Sequence, residues 1–94
     1  MTFPYEFFES DLQRAHKHSI RHRSELLRSG ICGCFYCLDK FEFKNIKEWT
    51  DDSQTALCPT CGIDSVIGDE SGFPITDHFL EAMEARWFGL RSKK

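Results

Sequence analysis

Four cysteines stand as two close pairs, Cys34-Phe35-Tyr36-Cys37 and Cys58-Pro59-Thr60-Cys61, with residues 38 to 57 between them. A Cys-x-x-Cys turn points both sulfurs into one hemisphere, and two such turns brought together offer four thiolates at the corners of a tetrahedron. That is the closed coordination of one structural zinc ion, with no position left for a reacting water. Pro59 stiffens the second turn after its first thiolate. Gly62, after its second, can take positive φ and let backbone N–H groups approach sulfur, which offsets the charge of four anionic ligands. The first turn has Leu38 where the second has Gly62. Four thiolates also bind iron, which is the alternative ion, although nothing else in the chain implies a redox partner.

The remaining chemistry-bearing residues have blander readings beside their functional ones. Cys32 stands one residue from Cys34, a spacing poor for a metal turn, and reads as a small residue in a strand, with a register exchange with Cys34 as the alternative. His18 and His22, four apart on a helix, could chelate a second ion, as could His16 with a neighbour. No helical glutamate motif accompanies them, and the basic surroundings disfavour a cation. His22 and the adjacent Arg23 read as partners in a buried polar pairing with Asp64; a His22 and Asp64 pair in a cleft would serve a small hydrolase.

Two helices and two hairpins would position these groups. Ser10 or Asp11 can cap a first helix over about 11–29, whose apolar positions Leu12, Ala15, Ser19, Leu26 and Leu27 lead to a stop at Gly30. At 100° per residue, Arg14, Lys17, His18, Arg21, Glu25 and Arg28 share one face, while His16 and Arg23 fall among the apolar residues. An arginine directed at the core needs a carboxylate or carbonyls, so Asp51, Asp52 or Asp64 is the expected partner of Arg23. Phe41 and Phe43 alternate with Lys40, Glu42 and Lys44 and fold a hairpin over the first cysteine turn. Asn45 and Glu48 predict a short helical turn through Trp49. Thr55-Ala56-Leu57 enters the second turn, and Ile63 to Ile67 leaves it as the other strand of a second hairpin, ended by Gly68. A last helix is expected over about 77–88, recapped by Thr76, with Phe79, Leu80, Met83, Trp87 and Leu90 on one stripe. The fold class is therefore small α+β: a zinc ribbon of two hairpin knuckles over about 31–68, flanked by an amino-terminal and a carboxyl-terminal helix, in one domain spanning 1–94.

A chain of 94 residues buries little apolar surface, which a metal staple would supplement. Hydrophobic residues at 40% and nine phenylalanines still provide a core and exclude a disordered chain. No apolar run approaches the roughly 18 residues needed to span a bilayer, and the start lacks a basic flank before an apolar core. A cytoplasmic protein with no membrane contact is expected. Five cysteines, odd in number and closely paired, fit reduced thiolates better than disulfides. The net charge of -3 hides a split between five basic residues against Glu25 over 13–28 and ten acidic ones against Lys44 and Lys47 over 42–84. Such a distribution steers an anionic partner to one face or docks the two halves together.

The two turns resemble zinc-ribbon and rubredoxin-type knuckles. Through Cys34-Phe35-Tyr36-Cys37-Leu38, Cys58-Pro59-Thr60-Cys61-Gly62-Ile63-Asp64-Ser65-Val66-Ile67-Gly68 and the segment from Pro74 to Phe88, residues 22–88 are similar to a family of short bacterial proteins known only as uncharacterised cytoplasmic proteins. That resemblance implies a cysteine-rich zinc-binding domain and no particular activity. Three functions are then open. The leading one is an interaction module that docks another protein through aromatics at Phe3, Tyr5, Phe7, Phe8, Phe35 and Tyr36, with a symmetric homodimer as a further partner state. The second is nucleic-acid binding through Arg14, Lys17, Arg21 and Arg28. The third is the small hydrolase at His22 and Asp64.

Overall fold

The computed structural model describes residues 7–89. Three helices, α1 (Glu9–His16), α2 (Arg23–Arg28) and α3 (Asp77–Phe88), surround five short strands: β1 (Cys32–Cys34), β2 (Lys40–Phe41), β3 (Glu48–Thr50), β4 (Thr55–Leu57) and β5 (Val66–Gly68). One antiparallel sheet has the order β2-β1-β5 and the other pairs β3 with β4.

The amino-terminal segment is not the single helix expected. Helix α1 stops at His16, a 3-10 turn covers Lys17–Ser19, and α2 begins anew at Arg23. The break follows from competition for the backbone. Arg21 turns to φ 48°, and its N–H donates to Thr55 Oγ1 at 2.8 Å. The His22 N–H donates to the Gln54 carbonyl at 2.8 Å. Bonds to the β3–β4 hairpin thus replace helical ones over a stretch that carries few apolar residues to reward continuing the helix.

Two further expectations are corrected. Asn45 does not cap a helix through Trp49. It closes a 3-10 turn, Phe43–Asn45, by accepting the Glu42 N–H at 3.2 Å, and Trp49 lies in β3. The residues either side of the second cysteine turn do not form a hairpin with one another. β4 pairs with β3, Trp49 opposite Ala56, while β5 crosses to β1, Gly33 opposite Ile67. The apolar run 63–67 is buried from Ser65 onward because it enters the central sheet, where both faces are covered.

Helix α3 has the expected bounds, and the Thr76 side chain accepts the Phe79 N–H at 3.2 Å as its cap. Phe79, Leu80 and Met83 are fully buried. Trp87 packs at the edge of their cluster, and Leu90 lies outside the described residues.

The central sheet divides the interior into two clusters. On one face Ile67 meets Leu12, Ala15, Phe35, Ile75, Phe79, Leu80 and Met83. On the other, Cys32, Cys34 and Val66 meet Leu26, Phe41, Ile46, Ala56 and Cys58. Strand alternation explains the division: Cys32 and Cys34 point one way, and Gly33, between them, points to α3. A Cβ on Gly33 would lie 2.8 Å from Ile75 Cγ2 and 3.1 Å from Leu80 Cδ1, so glycine is what lets the helix approach.

Candidate metal centre

Cys34 ends β1 and Cys58 follows β4, so the two sheets deliver the two cysteine turns to one place. The turns share one backbone pattern, residue for residue. The N–H groups of Tyr36 and Cys37 approach Cys34 Sγ at 3.3 and 3.5 Å, and those of Thr60 and Cys61 approach Cys58 Sγ at 3.3 and 3.5 Å. The Cys34 N–H donates to the Asp39 carbonyl and the Cys58 N–H to that of Ile63, each at 2.9 Å. Thr60 Oγ1 donates to Asp39 Oδ2 at 2.5 Å and ties one turn to the other.

The four sulfurs of Cys34, Cys37, Cys58 and Cys61 lie within 4.8 Å of one another, with 3.7 Å from Cys34 to Cys61 and from Cys37 to Cys58. A disulfide would need about 2.05 Å. Four sulfurs about 2.3 Å from a central ion at tetrahedral angles sit roughly 3.8 Å apart, so the spacing fits one metal ion held by all four. Cys34 and Cys58 are buried and Cys37 and Cys61 half-buried, so the centre lies at the rim of the second cluster.

The surroundings oppose and assist ionisation unequally. Burial pushes the Cys34 thiol up against the pull of the Cys37 and Tyr36 N–H groups, and burial pushes Cys37 up to about 11. At Cys58 burial also raises the value, but the N–H groups of Cys61 and Thr60 and the neighbouring thiols outweigh it, and the thiol is lowered overall. A coordinated thiol is deprotonated outright by the ion's own charge. The N–H groups already aimed at Cys34 and Cys58 then receive thiolates.

Cys32 is separate from this group. It is fully buried in β1 opposite Phe41 and Gly68, and burial, with Asp69, pushes its thiol up to about 11, the signature of an inert core cysteine.

The histidines are occupied elsewhere. His22 is 4% exposed. Its Nδ1 lies 2.7 Å from the His18 carbonyl, so it carries the proton and donates, and its Nε2 accepts the Ala56 N–H at 3.0 Å. With both nitrogens bonded to backbone in the core, His22 has no free nitrogen for the alternative of a hydrolase with Asp64 or for chelation with His18. His18 Nδ1 instead pairs with Glu25 at 3.0 Å.

The polar pairing of His22, Arg23 and Asp64 does not form among the described residues. Asp64 is exposed. Arg23 donates to the Ser53 carbonyl at 3.0 Å and lies 4.4 Å over the Trp49 ring, so a carbonyl and a π face take the place of the expected aspartate. That carbonyl is presented by an unusual turn, Asp51, Asp52 and Ser53 all having positive φ.

The basic residues separate where the helix breaks. Arg14 pairs with Asp11 at 3.1 Å and lies over Phe73. Lys17, Arg21 and Arg28 line one cleft of about 270 Å³ with His18 and Glu25. Their side chains enter no ion pair among the described residues. Nothing in helical periodicity marks these three apart from Arg14; the break at Arg21 does.

Of the described residues of the expected aromatic docking face, one is buried, two are half-buried and one is exposed. Phe35 is buried, Tyr36 stacks edge-on against Phe88 at 4.8 Å, and Phe7 packs against Phe79 at 5.2 Å. Phe8 is exposed, and Phe3 and Tyr5 lie outside the described residues. Among those residues no helix is long and apolar enough to cross a membrane. Compared with protein-family models, with curated proteins and with solved structures, the chain matches none.

Proposed function

We propose that the protein is a zinc-stapled binding module of the cytoplasm, its ion structural and its partner another protein. The observation that supports this most is the convergence of four sulfurs from two equivalent turns. With every tetrahedral position taken from the chain, the ion would hold loops together and carry no substrate or water. Zinc is favoured over iron because nothing in the sequence provides for electron transfer, and a d10 ion accepts a tetrahedral thiolate cage with no electronic preference to satisfy. Five free thiols, one an inert core residue, support a reducing compartment. The resemblance to short bacterial cytoplasmic proteins belongs to the same reading and rests on Cys34 to Leu38, Cys58 to Gly68 and the segment from Pro74 to Phe88.

The partner surface we favour includes Ile20, 56% exposed at the cleft of Lys17, Arg21 and Arg28, and Leu27, 62% exposed in α2. An acidic protein surface with an apolar centre would complement it. Metal analysis of protein isolated from its own host tests the first half; one zinc per chain is expected, and a reddish iron-thiolate chromophore would refute zinc. Co-isolation of one acidic protein, lost on Ile20→Ser with Leu27→Ser, tests the second. Retention of that protein by the double variant would refute the surface.

A second reading is supported by the cleft of Lys17, Arg21 and Arg28. Three cations without an ion pair among the described residues, around one hollow, suit phosphates of a nucleic acid. Binding should weaken steeply with salt and fall on Arg21→Glu with Arg28→Glu. An affinity insensitive to both would remove this reading.

A further inference from the structure

A second cleft, of about 310 Å³, opens between the turn after α1, the segment leading into β5 and the end of α3. Its volume is at the lower end for small-molecule sites. Phe35, Phe88 and Ile20 give it ring and aliphatic surface, whereas Lys17 and Asp64 bring one charge of each sign. Both charged residues are exposed, and neither enters an ion pair with the other or with any described residue.

The inner wall adds an unmet polar group. Ser65 lines the cleft and is 2% exposed, and its hydroxyl has no hydrogen-bond partner among the described residues. Its carbonyl is already taken by the Phe35 N–H at 2.9 Å. Native proteins leave few such hydroxyls unpaired, and a buried one beside a cavity favours a polar ligand atom there. His16, on the same wall, stacks on Trp87 at 4.1 Å. Partial desolvation lowers its imidazole below the ordinary range against the pull of Asp64, and Lys17 and Asp64 are the carriers of opposite charge lining the cleft.

Opposite charges that enter no ion pair among the described residues, lining one cleft together with apolar surface, complement a molecule that carries both charges and an apolar body. We propose that this cleft binds a free apolar α-amino acid, its ammonium on Asp64, its carboxylate on Lys17 and its side chain against Ile20 and Phe88. A dicarboxylate would leave Asp64 unanswered, and a purely apolar ligand would leave both charges so.

The test uses the full zinc-loaded chain, isotopically labelled, titrated with L-leucine and L-phenylalanine and followed by amide chemical shifts. Saturable shifts at residues 16–20, 64–65 and 88 are expected. Asp64→Asn and Lys17→Gln, both at exposed positions, should each weaken binding about tenfold while leaving the rest of the spectrum unchanged. Phenethylamine, which lacks the carboxylate, should bind more weakly and respond to Asp64→Asn alone; phenylpropionate should respond to Lys17→Gln alone. Absence of saturation at about 10 mM, a lower bound for specific recognition on the affinity scale, overturns the proposal. Shifts indifferent to both substitutions overturn it equally.

Discussion

Leu38 and Gly62 hold the same backbone station in the two cysteine turns. Each donates its N–H to the carbonyl of the first cysteine of its turn, at 2.8 Å to Cys34 and 2.9 Å to Cys58, and each has positive φ, 69° and 81°. Glycine takes that conformation freely, whereas a side chain costs about 1–2 kcal/mol. Leu38 is kept there by its side chain, half-buried against the cluster of Phe35 and Leu80. A fully buried leucine contributes on the order of 1.5–3 kcal/mol, so a half-buried one supplies about 1 kcal/mol, comparable with the strain.

Gly62 has no such compensation. A Cβ added there meets nothing within 4 Å, so any effect of Gly62→Ala is conformational. We expect a loss of about 1 kcal/mol, and a smaller one for Gly62→Asn, because asparagine tolerates left-handed backbone better. Urea unfolding of the zinc-loaded variants measures both, and a Gly62→Ala protein as stable as the parent would contradict the strain argument.

On the proposal that the four sulfurs hold a structural ion, its removal should unfold the chain. Structural zinc contributes about 10 kcal/mol or more in small domains, against a total stability of roughly 5–15 kcal/mol. The second cluster includes Cys34 and Cys58 themselves, so losing the ion leaves a wall of that core mutually repelling or protonated. A strong chelator should abolish near-ultraviolet circular dichroism from Trp49, and Cys58→Ser should purify with less than one ion per chain. Cys32→Ala should retain a full complement. A metal-depleted protein with native dichroism would show that packing alone suffices.

The metal turns and α3 were legible in the residues because their signals are local. Cys-x-x-Cys fixes the approach of two sulfurs, and Thr76 with the Phe79, Leu80 and Met83 stripe fixes a cap and a buried face. The break at Arg21 was not legible, since the groups that cause it, Thr55 Oγ1 and the Gln54 carbonyl, lie more than 30 residues away. The same distance hid the pairing of β5 with β1: a run such as Ile63 to Ile67 shows that a strand is buried but not beside which neighbour. Periodicity also misplaced Arg23, because it counts faces and cannot foresee that Trp49 would offer a π surface.

Gly33→Ala probes the contact that sets α3 on the sheet. The new methyl would press on Ile75 Cγ2 at 2.8 Å and on Leu80. We expect a loss of about 1–3 kcal/mol, with metal content unchanged, since Cys34 points to the opposite face. Ile75→Ala removes the nearest obstacle, so the double variant should be more stable than the sum of the single losses by about 0.5 kcal/mol or more. Strict additivity by chemical denaturation would mean that the sheet shifts instead of the side chain.

His22 makes folding sensitive to pH. Burial is the main cause that holds its imidazole below the ordinary 6.5, with the bond to the His18 carbonyl, Glu25 and Asp64 opposing. Above pH 6.5 both folded and unfolded chains carry it neutral, and its contribution is complete. Below that value the unfolded chain takes up a proton first, so stability falls with a slope of at most about 1.4 kcal/mol per pH unit until the folded chain protonates as well. His16 is lowered by burial too and adds in the same direction. The bonds to the His18 carbonyl and the Ala56 N–H make substitution costly: His22→Ala should lose about 2–4 kcal/mol, because two buried backbone groups are left without partners. Its stability should also depend less on pH between 6.5 and 5 than that of the parent. Acid release of the ion affects both proteins alike, so the difference between the two curves isolates the imidazole. Parallel curves would mean that the folded and unfolded chains protonate His22 equally, and that burial does not hold its imidazole neutral.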